Sequence, residues 1–344
     1  MSTLFLAHPE PDGTLAKSAL EALSATIQLA ASLDTPFCVG LVGENPGPAA
    51  NSIAGCGAAR ILTVSGAQFS QARYATDAAA AEALCRATAA TLVTTPATSR
   101  WNRVLPGVAH RLGGHADSHV TGLTVAAGQP SISRWFYRQR MEAVFTRSTR
   151  PWLLALEGGI APVAAVSNRQ AQVTAPIENI TLTLPATRTQ VTGFEAPASD
   201  QQTIRPDADL LFVTGAGWTK KQADGTVKVA EAGALILDFL RLSRSSLGST
   251  KSLVDLGGEG QSVLPFLSHL NQIGQTGSTP RHAKGLATCC HGEEPHTVGW
   301  RFIGERRAIS MDANCGWARG KADILYVADA FAVMAEVNAL LATY

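Results

Sequence analysis

Two short stretches in the last quarter of the chain gather residues that can do chemistry. One is Gly274–Gln275–Thr276–Gly277; the other, ending within twenty residues of it, is Cys289–Cys290–His291–Gly292–Glu293–Glu294–Pro295–His296. Glycine-bounded turns at sheet ends offer backbone N–H groups to a phosphate or a ring carbonyl. The Thr276 hydroxyl and the His296 imidazole add side-chain donors. A metal on Cys289, Cys290, His291 and His296 is a rival reading. Adjacent cysteines on a strand point to opposite faces and rarely chelate one ion, so two small packed thiols are the plainer account. A Cys–His nucleophile lacks a third orienting group, and no Gly-x-Ser-x-Gly elbow occurs. His8, His110 and His269 read as ordinary polar or packing residues. A third feature, Gly215–Ala216–Gly217, follows a strand-like run and opens like a dinucleotide fingerprint, but its third glycine is missing. The competing reading is a tight strand-end turn that needs positive φ.

The elements that must position these residues are legible as alternation. In the first 125 residues, candidate strands Leu4–His8, Pro36–Val42, Arg60–Val64 and Ala90–Pro96 alternate with helical stretches Ala16–Ser32, Thr76–Ala89 and Asn102–Leu112. Strands separated by such helices imply a parallel sheet with crossovers. From His119 to Thr192 the pattern turns β-branched, in Val120–Val125, Trp152–Leu156, Ile177–Leu184 and Thr187–Val191, which predicts an antiparallel appendix. A polar stretch, Ala196–Pro206, reads as a linker. Beyond it, strands Leu210–Thr214, Ser246–Thr250, Lys284–Cys290, Ala308–Met311 and Ile324–Val327 go with helices Val227–Arg244 and Ala328–Leu341. The predicted class is α/β: two domains, 1–195 and 207–344, joined by 196–206. Each is built on a parallel sheet with crossover helices (Rossmann-like), the first with an antiparallel appendix.

Composition narrows the function. The 344 residues exceed what one core usually organises. Lys and Arg number 28 against 27 Asp and Glu, so no net field favours a nucleic-acid partner. No apolar run reaches the length of a membrane span. Six scattered cysteines do not form a secreted disulfide framework, and the start of the chain lacks a signal-peptide pattern, so cytoplasmic residence is expected. Charged residues are only 16% of the chain, well below the usual quarter or so.

In this order, the features resemble the alpha subunit of electron-transfer flavoproteins. The family's Gly-x-Ser-Arg with Val-Asp is matched by Gly248–Ser249–Thr250–Lys251 and Val254–Asp255, and its Gln-x-Gly-Gln-Thr-Gly by a complete Gln272–Ile273–Gly274–Gln275–Thr276–Gly277. The Cys289–His296 stretch follows at the family's own spacing, then Ile309–Ser310–Met311–Asp312 and Ala322–Asp323. In the first half, Leu105–Pro106–Gly107–Val108–Ala109–His110–Arg111–Leu112 is similar to the family's Leu-Pro-Arg-x-Ala-x-x-Leu.

The resemblance implies an FAD-binding second domain and assigns roles to its residues. Thr276 would offer its hydroxyl near flavin N5, and His296 would donate to the pyrimidine carbonyl. Lys251, after Thr250, takes the place of an arginine lying over the ring. Gly274 and Gln275, with the His291–Gly292–Glu293–Glu294–Pro295–His296 turn, would line the ribityl and pyrophosphate, and Gln272, Ile273, Gly277 and Ile324 would also belong to the cofactor site. Ser310 and Asp323 would meet the adenosine end. Gly217 stands where the family has the turn arginine that neutralises the pyrophosphate, and Lys220 or Lys221 would have to replace that charge.

The expected function follows. The chain would carry electrons through FAD from a flavin-dependent dehydrogenase to a quinone reductase or an iron–sulfur acceptor. It would be paired with a beta-like subunit in a heterodimer, and the low charge fits a surface hidden against that permanent partner. Two alternatives stay open: a flavin-poor scaffold subunit of a larger oxidoreductase complex, and a NAD-dependent enzyme.

Overall fold

The computed structural model describes residues 1–136, 141–163, 175–184, 186–193, 204–205, 208–255, 262–273, 282–288, 303–315, 318 and 322–343. The chain divides into two units, Met1–Gly193 and Phe194–Tyr344. Most of the expected linker, 196–203 and 206, falls outside the described residues.

The first unit is one large sheet covered by helices. Its elements run β1 (Thr3–Ala7), α1 (Lys17–Ser32), β2 (Phe37–Gly43), α2 (Gly47–Ser52), β3 (Arg60–Ser65), α3 (Tyr74–Thr88), β4 (Leu92–Pro96) and α4 (Ser99–Arg111). They continue with β5 (His115–Ala126), β6 (Gln129–Phe136), β7 (Met141–Phe145), β8 (Trp152–Leu156) and β9 (Ile177–Asn179). Among the described residues the strand order is β7-β6-β5-β8-β4-β1-β2-β3-β9. Strands β1, β4 and β8 are buried along their whole length. They therefore carry continuous apolar runs rather than alternation, as the centre of a parallel sheet requires. Helix α1 covers one face with Ala19, Ala22, Leu23 and Ile27. Helices α3 and α4 cover the other with Leu84, Trp101, Val104 and Val108. The Thr98 hydroxyl caps α4 by accepting from the Trp101 N–H at 3.3 Å.

The antiparallel appendix is smaller than the sequence pattern implied. Among the described residues of this unit only β5–β6 and β6–β7 pair antiparallel. Trp152–Leu156 instead inserts between β4 and β5, parallel to both. Ile177–Asn179 adds parallel to β3 at the far edge, and 187–191 forms no strand. The apolar run of β8 was a sign of burial on both faces; β-branched content alone does not set strand direction.

The second unit comprises β10 (Leu210–Thr214), α5 (Val229–Ser243), β11 (Ser246–Ser249), the short α6 (Lys251–Asp255), β12 (Lys284–Thr288), β13 (Glu305–Ser310), β14 (Ile324–Val327) and α7 (Ala330–Leu341). The strand order is β11-β10-β12-β13-β14, and every pairing is parallel. The order reverses between β10 and β12, which makes their carboxyl ends the topological switch point where open α/β sheets take ligands. Phe212, Ile236, Phe239, Leu247 and Met334 form the core on the α5 and α7 side. Leu211, Val213, Ile273 and Ala287 form the opposite one.

Candidate functional site

The carboxyl edge of the second sheet gathers six of the residues that the sequence singles out. Gly217 lies in the turn after β10, and Thr250 and Lys251 follow β11. Gln272 pairs with Ser249 in an isolated parallel bridge, Ile273 donates its N–H to the Ser249 carbonyl at 3.1 Å, and Ser310 ends β13. Packing fixes most of them. Thr250, Gln272, Ile273 and Ser310 are buried. The Thr250 N–H donates to the Thr214 carbonyl at 2.9 Å, tying the end of β11 to β10. Gly248 leaves the room Ile273 uses, since a Cβ there would stand 3.0 Å from the isoleucine side chain. Lys251 is the exception. Its side chain is 47% exposed, with its ammonium 3.7 Å from Asp255, a separation that holds it loosely.

The glycine turn differs from both expectations placed on it. Gly215 is extended, with φ −105°, and Gly217 is not among the residues with positive φ. The chain instead makes a 3-10 turn over Ala216–Thr219, then a bridge between Lys221 and Val227, and α5 begins only at Val229. No helix N-terminus opens on the turn, so the geometry that a dinucleotide fingerprint needs is missing. What the turn does is bury Trp218. Its indole N–H donates to the Thr288 hydroxyl at 2.8 Å, and its ring lies 4.7 Å from that of Phe331. The Gly215 N–H donates to the Thr288 carbonyl at 3.0 Å, so both sides of the switch point are bonded together. The sequence reading missed this pair. Its signals were a tryptophan inside a glycine turn and a threonine closing an apolar strand.

Asp323 and Ile324 stand elsewhere. Strand β14 begins with Ile324, so both lie at the amino end of the sheet, opposite Gly217, Lys251 and Ser310. The Asp323 carboxylate accepts from the Arg306 backbone N–H at 2.7 Å and from its guanidinium at 2.9 Å. Those bonds hold its pKa below the usual carboxylate value. Gly274, Gln275, Thr276, Gly277, His291, Gly292, Glu293, Glu294, Pro295 and His296 lie outside the described residues, as do Cys289 and Cys290.

Chemically, the edge offers turn and strand-end backbone together with the exposed cation Lys251, and Lys221 is exposed just beyond the turn. That fits an anionic cofactor in one respect, the charge and position of Lys251. It does not extend to Asp323, which is occupied by Arg306 at the far edge.

A family model for the electron transfer flavoprotein domain matches residues 3–185. The chain belongs to the electron transfer flavoprotein family. The match spans β1 to β9 and with them nearly all of the first unit, so membership rests on the large sheet rather than on the glycine turn. Electron transfer is therefore its general role, in a family that works with flavin and with partner subunits. No curated protein matches the chain. Among the described residues no helix is long and apolar enough to cross a membrane.

Proposed function

We propose that this electron transfer flavoprotein is an alpha-like subunit that holds FAD at the carboxyl edge of its second sheet and pairs with a beta-like subunit. In this reading it accepts electrons from a flavin-dependent dehydrogenase and passes them to a quinone reductase or an iron–sulfur acceptor. The observation that carries the reading is the gathering of Gly217, Thr250, Lys251, Gln272, Ile273 and Ser310 at one edge of a doubly wound sheet. FAD, when bound, supplies the one-electron chemistry. The chain's own part is to place a cation and backbone donors beside it. Lys251 supplies charge without the planar fork of an arginine, so it attracts the anionic cofactor but does not orient it.

The test is the visible spectrum of the full chain co-purified with its partner subunit. A flavin spectrum is expected, and Lys251→Gln should weaken FAD uptake about twofold to fivefold, the value of one solvent-exposed ionic contact. A colourless pair that takes up no added FAD would sink the carrier reading. It would favour the scaffold subunit instead.

A further inference from the structure

The edge of a sheet leaves a row of backbone N–H and C=O groups without a partner, and natural proteins guard it with charge or cover it. Among the described residues each sheet has two edges. In the first, β7 carries Glu142 and β9 carries Glu178. In the second, β11 has no charge but is buried along its whole length. β14, Ile324–Leu325–Tyr326–Val327, has neither protection. Ile324 and Tyr326 are each 41% exposed and Val327 is 57% exposed. Met311, just beyond the neighbouring β13, is 60% exposed.

Alternation fixes what this edge offers. The Asp323 N–H turns inward and donates to the Arg306 carbonyl at 2.8 Å. Successive residues of a strand aim their backbone groups to opposite sides, so the N–H and C=O of Ile324 and Tyr326 face away from β13. Their side chains share one face, and those of Leu325 and Val327 the other. Another extended backbone is the partner that meets such a row of donors and acceptors.

Side-chain complementarity selects which backbone. Set antiparallel against a second copy with the two-fold axis at Leu325, β14 places Ile324 across from Tyr326 and Tyr326 across from Ile324, both as hydrogen-bonded pairs. An aromatic residue across from a β-branched one is a favourable cross-strand pair, and symmetry supplies it twice. Leu325 meets its own copy, and Asp323 meets Val327, so no acid stands across from an acid. An axis at Tyr326 would set Asp323 against Asp329 of the second copy, and an axis at Ile324 would leave Tyr326 across from Ala322, outside the strand. The charges beside the edge are matched within the chain. Arg306 holds Asp323, and Arg307, which donates to the Tyr326 hydroxyl at 2.9 Å, is paired with Glu305.

We propose that β14 is a self-association edge, through which two copies of this chain join their second sheets into one continuous sheet. The edge lies wholly in the second unit, and pairing through it depends neither on flavin nor on the partner subunit of the proposed function.

The test is sedimentation velocity of the full chain from about 1 to about 100 μM, the range suited to a small interface. A monomer–dimer equilibrium is expected. Tyr326→Lys should weaken it about tenfold, because one substitution acts at both halves of a symmetric interface. Val327→Asp should also weaken it, since the new carboxylate faces Asp323 of the second copy. Val327→Lys faces the same acid and should associate at least as tightly as wild type. Leu340→Lys, at an exposed apolar position on α7, should change nothing. Tyr326, Val327 and Leu340 are all exposed, and equal melting temperatures verify that the variants are folded. A chain that stays monomeric over this range, a Tyr326→Lys variant that dimerises as wild type, or equal weakening by Val327→Asp and Val327→Lys would each overturn the proposal. A monomeric chain that loses its partner subunit on Tyr326→Lys would overturn it too, by giving the edge to that subunit.

Discussion

The Trp218 indole donates to the hydroxyl of Thr288, 70 residues later in the chain, at 2.8 Å, and both side chains are fully buried. The bond joins the ends of β10 and β12 at the point where the strand order of the second sheet reverses. The Thr288 hydroxyl in turn lies 3.1 Å from the Val213 carbonyl. Thr288→Val keeps shape but leaves the indole N–H buried without an acceptor. That should cost about 1–3 kcal/mol, read as a lower denaturant midpoint at unchanged slope. A variant as stable as wild type would show that the bond is not what fastens the switch point.

Gly248 leaves the seat that holds Ile273 against β11. Its missing Cβ leaves the Ile273 side chain seated against β11, with Leu211 at 3.2 Å from the same point. Gly248→Val should push Ile273 off the strand and cost about 1–3 kcal/mol as overpacking. The bridge from Ser249 to Gln272 depends on the same seat, so flavin retention should fall along with stability. Loss of stability with full flavin retention would separate the strand from the site.

His8, at the carboxyl end of β1, gives the first unit a pH dependence. Burial, and secondarily the nearby Arg100 charge, lowers its pKa from 6.5 to about 4. In the folded chain the imidazole therefore stays neutral, while the unfolded chain takes up a proton near pH 6.5. Stability is complete above that value and is lost as pH falls from about 6.5 to about 4, by at most about 3 kcal/mol. Urea titrations at several pH values in this window should show the slope, and His8→Asn should flatten it. An unchanged slope in the variant would assign the pH dependence to other groups.

Much of the fold was legible because burial on both faces writes itself into a strand as a continuous apolar run. Leu210–Thr214 and Ile324–Val327 have the same bounds in the sequence reading and in the structure, and β1, β2, β3 and β4 differ by a residue or two. The site was legible only as residue types. Thr250 and Lys251 meet Gln272 and Ile273 because the chain returns at Gln272 to bridge Ser249 at the end of β11, a pairing over some twenty residues that local periodicity does not show. Asp323 could not be placed that way either. A residue one position before a strand belongs to its amino end, and the Arg306 that engages it is set by the β13–β14 register.

By itself, then, the sequence determined the α/β class, the alternation of elements and the chemical kinds of group available, since periodicity and composition are local properties of the chain. Tertiary structure alone decided that β8 is central rather than part of the appendix, and that the glycine turn buries a tryptophan instead of opening a helix. It also decided that two arginines and Trp152 share the Asp117 carboxylate. Each depends on a partner tens of residues away, and which of many apolar strands lie side by side is settled by the packing of the whole sheet rather than by any one segment.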